Sequence, residues 1–352
     1  MFDNYVKKEI EALLVDEQPL FFQLKNKSIF ITGATGLLGS QLILSLLEAN
    51  RIYNLNIKII ALVRSLEKAK VIFEDYNNEL EFCLGDVNQL IVYEKPIDFV
   101  IHGASMTNSL DFVKIPVDTI MTAFQGTRNI LDFALEKKVE SFVYLSSLDV
   151  YGTFDGRKDV DEDDFGALDP AMPRSSYSEG KRIAETLVVS YHSQYSLPTK
   201  IARLCQTFGP GVNYQDNRVF AQFSRSVIEE KDIILHTEGT TERNYCSIRD
   251  SISGILYILI SGEVGQAYNI ANENTMISIS DLATKFVRMT SNKISLKFDI
   301  QDIKNYGYNP EVKLKLKTKK LEQLGWQPKV SLDDILLGLV QSMRFSKEST
   351  YE

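Results

Sequence analysis

The chain has 352 residues, 44% hydrophobic and 24% charged, the balance of a soluble globular protein large enough for two domains or one domain with an added lobe. A net charge of −8, a pI near 5.2 and the lack of an extended basic tract argue against nucleic acid or an anionic membrane surface as partner for the whole body. No apolar run is long enough to span a bilayer, the N-terminal segment has no secretory apolar core, and the three cysteines and three histidines are scattered. The expectation is a cytoplasmic protein with no membrane partner, disulfide framework or metal site.

Residues 1–26 form an amphipathic extension, with Val6, Ile10, Leu13 and Leu14 at helical spacing, predicted to pack on the body. KSIFITGA (Lys27 to Ala34) is a β-branched apolar run, and LLGSQLILSLLEAN (Leu37 to Asn50) has helical periodicity. Further strand-like runs follow at Ile57–Arg64, Leu80–Asp86, Ile97–Ser105, Ser141–Ser147 and Thr199–Gly209, separated by helical segments. Apolar runs of this kind are what a parallel sheet buried on both faces requires. The reading is an α/β fold: a Rossmann-type doubly wound parallel sheet over 27–205, then a smaller mixed α/β C-terminal substrate lobe over 206–345, part of which returns to the first domain, and a tail over 346–352. DGRKDVDEDDFGALDP (Asp155 to Pro170) reads as a charged surface loop, suited to a lid, with its carboxylates solvated.

The chemistry begins with ITGATGLLGS, where Gly33, Gly36 and Gly39 are spaced GxxGxxG between a predicted strand and a predicted helix. Glycine lets backbone amides approach a pyrophosphate, and the helix N-terminus favours its charge, so Gly33, Thr35, Gly36, Leu37, Leu38 and Gly39 are candidate dinucleotide contacts. Asp86 and Val87, in LGDV, and Gly103 and Ala104, in HGAS, follow the third and fourth strands and join that set. At the end of the second strand an acid would bind the ribose 2′-hydroxyl of NAD, but here ALVRS carries Arg64, either a solvated turn residue or a partner for the 2′-phosphate of NADP. The cofactor is read as NAD(P), with Arg64 favouring NADP.

SSYSEGKRIAE contains Tyr177 and Lys181 at YxxxK spacing on an apparent helix. Residues four apart share a helical face, so the ammonium can sit near the phenol and the nicotinamide ribose. A phenol is a poor base near neutrality, and a neighbouring cation favours its phenolate. Ser147, at the end of another strand, can hydrogen-bond the same substrate oxygen.

The order TGATGLLGS, GDV, GTRNILDFA, SSLDVYG, YSEGK, RLCQTFGP, TERNYCSIRD and LGWQPKVSLDD, from Lys27 to about Arg344, resembles the extended short-chain dehydrogenase/reductases that act on nucleotide sugars. The resemblance implies that Ser147, Tyr177 and Lys181 are the catalytic triad, that a sugar carbon is transiently oxidised to a ketone, and that the protein is a homodimer built through helices equivalent to the GTRNILDFALEKK segment. YSEGKR and NRVFAQF are most similar to the UDP-glucuronate decarboxylase and 4,6-dehydratase branch. By the same resemblance Arg243 meets the substrate diphosphate, with Arg218 a looser candidate. Two departures stand out: Ala123 replaces a common asparagine, and Gln206 stands where an asparagine is usual near the diphosphate.

LSSLDVYG (Leu145 to Gly152) bears on the reaction type. A 4-keto sugar has acidified hydrogens at C3 and C5, and Asp149 beside the Ser/Tyr/Lys set can abstract one; the bland reading is a strand-end turn carboxylate. The dehydratases it resembles carry a hydroxyl residue, an acid and a second acid, the middle acid protonating the leaving hydroxyl, whereas here Leu148 holds the middle place. Decarboxylation or epimerisation is therefore expected over dehydration, in surface polysaccharide biosynthesis by resemblance. The alternative is a net NADPH-dependent reductase of a nucleotide-linked keto sugar or polyol precursor; a non-catalytic cofactor sensor is disfavoured by joint retention of Ser147, Tyr177 and Lys181.

Overall fold

The computed structural model describes residues 3–156, 158–300 and 312–349. In chain order its strands are β1 (Ser28–Thr32), β2 (Lys58–Val63), β3 (Glu81–Leu84), β4 (Phe99–His102), β5 (Ser141–Ser147), β6 (Lys158–Val160) and β7 (Thr199–Leu204). They continue with β8 (Gln206–Phe208), β9 (Ile233–Leu235), β10 (Glu242–Ser247), β11 (Ala267–Ile270), β12 (Asn272–Ser278), β13 (Leu296–Phe298) and β14 (Lys313–Leu316).

Every residue of β1, β5 and β7 is buried, because helices cover both faces of the sheet they build. Alternate side chains feed opposite cores: Ile29 and Ile31 enter one cluster, and Phe30 and Val100 enter the other. The sheet has seven parallel strands in the order β11-β7-β5-β4-β1-β2-β3. From β1 the chain winds outward through β2 and β3, then returns to β4 on the other side. The helices that follow β1 and β4 consequently cover opposite faces of the sheet, and a crevice lies at the carboxyl ends of these strands, the place where such sheets bind ligands.

Cys205 separates β7 from β8, and there the chain passes into a second, mixed sheet in which β12, β10, β14 and β6 are neighbours and β8 also pairs with β10. The helix Ile248–Ser261 and β11 then lead back to the first sheet, and a third apolar cluster fills the second lobe.

The amphipathic extension is a helix, Asn4–Asp16, which buries Val6, Ile10, Leu13 and Leu14 against the body. The expected surface loop from Asp155 to Pro170 needs correction. Within it β6 pairs with β14, Val160 is fully buried, and the Glu162 carboxylate is buried and accepts the Asn269 backbone N–H at 2.7 Å. The charge run hid this because Val160 and Glu162 point inward while Asp161 and Asp163 face solvent.

Candidate active site

After Thr32 the chain turns through Gly33, at φ +70°, into the helix Leu37–Tyr53. A Cβ on Gly33 would lie 2.7 Å from the Gly103 carbonyl, and one on Gly39 would lie 2.2 Å from the Gly33 oxygen, so both glycines are required by close backbone packing. A Cβ on Gly36 would meet only the Gly33 oxygen, at 3.2 Å, which keeps the helix N-terminus open. Gly36 is the N-cap, and the Leu37, Leu38 and Gly39 amides beyond it have no acceptor within the helix. This cradle fits a dinucleotide pyrophosphate: amide donors, a helix dipole and no side chain in the way.

The neighbouring turn is fixed by Thr32, whose Oγ1 accepts the Gly103 and Ala104 N–H groups, each at 3.1 Å, and lies 2.7 Å from His102 Nδ1. With two amides donating to it, the hydroxyl gives its own proton to Nδ1. The ring proton is then on Nε2, which points at Thr127 Oγ1, 3.2 Å away. Burial, with the Lys181 charge adding to it, pushes His102 down to about 3, so it is a neutral structural link.

At the far end of the crevice Arg64 follows β2 and is exposed, while Ser65 Oγ caps the helix Leu66–Ile72 by accepting the Lys68 N–H. Asp86 follows β3 and is held by the Asn88 N–H at 2.8 Å.

At the other end Ser147 terminates β5 and caps the 3-10 turn Leu148–Tyr151. Its Oγ donates to Asp149 Oδ2 at 3.0 Å and accepts the Asp149 N–H at 3.2 Å. Tyr177 and Lys181 stand one turn apart on the helix Ser175–Tyr195, and the Tyr177 ring stacks on Phe112 with centroids 4.3 Å apart and planes 8° apart. Lys181 Nζ donates to the Leu145 carbonyl at 2.8 Å and sits 4.7 Å from the Tyr144 ring centroid. Burial pushes the Tyr177 phenol well above its ordinary value and the Asp149 charge adds to this, while a hydrogen bond with Ser147 and the Arg218 charge oppose it. Burial lowers Lys181 to about 8 against the opposing pull of Glu185 and Asp149.

Gln206 begins β8, Arg243 lies on β10, and Arg218 is engaged by Asp216 at 2.6 Å. The buried Arg243 Nε has no hydrogen-bond partner among the described residues. All the candidate cofactor, catalytic and substrate residues, from the glycine loop through Arg64 and Asp86 to Ser147, Asp149, Tyr177, Lys181, Gln206, Arg218 and Arg243, line one cavity of about 1400 Å³.

Sequence reasoning missed Lys68, Phe112 and Arg174, which line the same cavity. Arg174 lies within charge range of Asp149 and Arg243, and its burial, reinforced by Arg243, lowers its pKa. Its signal was its place one turn before Tyr177. Ala123 sits in a π-helical segment, Thr122–Gly126, against Gly180, where an added Cβ would come 3.1 Å from its own. Among the described residues no three His, Cys, Asp or Glu side chains cluster as metal ligands, and no helix is long and apolar enough to cross a membrane.

Residues 29–271 match the NAD dependent epimerase/dehydratase family. The chain belongs to that family. UDP-glucuronic acid decarboxylase 5 of Arabidopsis thaliana is 29% identical over 316 residues, covering 88% of this chain and 87% of that protein. The human dTDP-D-glucose 4,6-dehydratase is 28% identical over 311 residues, covering 86% of each chain. Among solved structures, epimerase Mth375 of Methanothermobacter thermautotrophicus superposes with a TM-score of 0.80 at 21% identity, over 95% of this chain and 96% of its own. DesIV of Streptomyces venezuelae, a dTDP-glucose 4,6-dehydratase solved with NAD and TYD, gives 0.76 at 23% identity over 92% and 98%. This epimerase/dehydratase chain is thus an enzyme of a group whose relatives include both decarboxylases and dehydratases.

Proposed function

We propose that the enzyme makes a redox-neutral change to a nucleotide-linked sugar through a transient ketone, by decarboxylation or epimerisation rather than dehydration. The observation that carries this is the surround of Asp149: Leu148, 6% exposed, is an apolar wall of the cavity where a dehydratase would need a proton donor, while Arg174 lies within charge range of the carboxylate. The Arg174 guanidinium beside it offers a partner for an acidic sugar substituent, as in the substrate of a decarboxylase.

Residues 27–205, with β11 added to their sheet, hold NAD(P), and residues 206–345 contribute most of the sugar-nucleotide contacts. NAD(P), when bound, supplies the acceptor that takes a hydride from the sugar and returns it. Tyr177 removes the proton of the sugar hydroxyl, assisted by Ser147, and the charged Lys181 lowers the cost of the phenolate. Asp149 then moves a proton at the carbon beside the ketone, or after CO₂ departs. Arg243 holds the diphosphate, with Gln206 beside it and Arg218 as a looser partner. Arg64, joined by Lys68, selects the 2′-phosphate of NADP. The protein acts as a homodimer in the cytoplasm, serving surface polysaccharide synthesis. Support for the dimer comes from Val117, Ile120, Met121 and Ile183, exposed by 70, 40, 45 and 41% on the helices Pro116–Met121 and Ser175–Tyr195, whereas Ile130, Leu131, Phe133 and Ala134 of the expected interface helix are core.

Arg64 and Lys68 also favour the second reading, a net NADPH-dependent reductase. Incubation with UDP-glucuronate and other nucleotide sugars, with NAD or NADP, followed together by mass spectrometry and absorbance of reduced cofactor, separates the two. Loss of CO₂ or isomerisation without cofactor consumption is expected. Stoichiometric cofactor turnover with a two-hydrogen mass change would replace this reading by the reductase, and unchanged turnover in Tyr177→Phe would remove both.

A further inference from the structure

Behind the active site lies a buried ion pair that none of the chemistry above uses. Arg203 on β7 is 5% exposed and forks onto the Glu185 carboxylate, with Nε at 3.0 and 3.2 Å and Nη2 at 2.7 Å. Its Nη1 donates to Tyr151 Oη at 3.0 Å and to the Glu162 carbonyl at 2.8 Å. Tyr151 belongs to the same 3-10 turn as Asp149 and donates onward to Asn269 Oδ1 on β11 at 2.6 Å. Glu185 lies one helical turn beyond Lys181. A single guanidinium thus ties the helix of Tyr177 and Lys181 to the turn of Asp149.

Burying such a pair costs desolvation, and apolar residues of similar volume commonly serve stability as well or better. A role beyond stability follows from what faces Lys181. On β4 stands His102, neutral; on β5 the Tyr144 ring; on its own helix Tyr177 and Glu185; in the 3-10 turn Asp149. The acids acting on the ammonium are Asp149 and Glu185. In the reaction proposed above Asp149 takes up and releases a proton, so its charge changes during turnover. Glu185 does not line the cavity and is held by Arg203, so it takes no part in those proton transfers.

We propose that Glu185, fixed by Arg203, is a positioning residue that acts through Lys181, supplying the permanent counter-charge that keeps the lysine ammonium in place whatever the protonation state of Asp149. The step-by-step use of Asp149 rests on the reading in the previous subsection, but the Glu185–Lys181 relation does not require any turnover.

The test uses that independence. Trace acetylation of the intact protein with acetic anhydride across a pH series, with the Lys181 peptide read by mass spectrometry against an internal amine standard, gives the midpoint at which Lys181 loses its proton. Glu185→Gln keeps one acceptor oxygen for Arg203 and removes the carboxylate charge. The expected result is a midpoint lower by about one pH unit, the size of one screened charge a helical turn away. A fall in melting temperature with no change in midpoint would make the pair merely structural and overturn the proposal. Because Glu185→Gln can strand Arg203, the double variant Glu185→Leu with Arg203→Met provides an apolar replacement: a lowered midpoint there supports the proposal, and a wild-type midpoint overturns it. If no nucleotide sugar is converted, the proposed reaction fails while the labelling result stands on its own.

Discussion

Replacing Gly39 by alanine tests whether the dinucleotide cradle depends on backbone contact rather than on any side chain. The added Cβ would lie 2.2 Å from the Gly33 oxygen and 2.9 Å from its carbonyl carbon, backbone atoms that cannot rotate away. Ordinary contact needs about 3.4 Å, so the helix start and the Gly33 turn must separate by roughly 1 Å. A displacement of that size takes an amide to phosphate hydrogen bond from about 2.9 Å to beyond useful length. Losing one or two charge-assisted bonds at roughly 1.5–3 kcal/mol each gives about 3 kcal/mol, or on the order of 100-fold in NADH affinity. Isothermal titration with NADH and NADPH measures this directly. Gly156→Ala is the control: its φ is +74° but no atom lies within 4 Å of the added Cβ, so a small stability loss and unchanged affinity are expected. If Gly39→Ala binds NADH within threefold of wild type while remaining folded, the cradle as described is wrong.

Arg64→Asp should weaken NADPH binding by about tenfold or more and leave NADH nearly unchanged, because it removes a 2′-phosphate partner and supplies a 2′-hydroxyl acceptor; fluorescence titration of both cofactors checks it. Lys200 is buried with its ammonium on Ser141 Oγ at 3.0 Å and the Leu259 carbonyl at 2.8 Å, and burial lowers it to about 8. Between about pH 8 and pH 10.5 the unfolded chain therefore binds more protons than the folded one, so this group makes stability rise with pH across that window. Lys200→Met should flatten that rise relative to wild type in thermal unfolding followed over the same range; an unaltered slope would contradict the assignment. Asp250 accepts the Lys329 and Val330 backbone N–H groups, each at 3.0 Å, and Asp250→Ala should cost about 2–3 kcal/mol by leaving one buried and one part-buried donor unpaired, read by urea unfolding.

The glycine loop was legible because strand, turn and helix each leave a local mark, and close backbone packing admits only glycine at Gly33 and Gly39. The YxxxK pair was legible because one helical turn aligns its members, and Ser147 because an apolar strand ends there. Asp149 was visible as a misplaced acid, but its bond to Ser147 and its neighbourhood with Arg174 were not. Phe112 and Arg203 gave no local signal: one is an ordinary aromatic in a short helix, the other a strand arginine among apolar residues. The buried half of the acidic segment around Glu162 was misread because charge density was taken for solvent exposure, whereas strand alternation turned alternate side chains inward.

The amino-acid sequence by itself determined the alternation of strands and helices, the glycine turn, the Tyr177–Lys181 spacing and the family, since each rests on residues near one another in the chain. Only the tertiary structure decided how Arg174, Arg243 and Asp149 share a corner of one cavity, and how Arg203 joins Glu185 to the turn of Asp149. Those relations depend on β7, β10 and the 3-10 turn being brought together by packing, and side chains so distant in sequence leave no periodicity from which their meeting can be read.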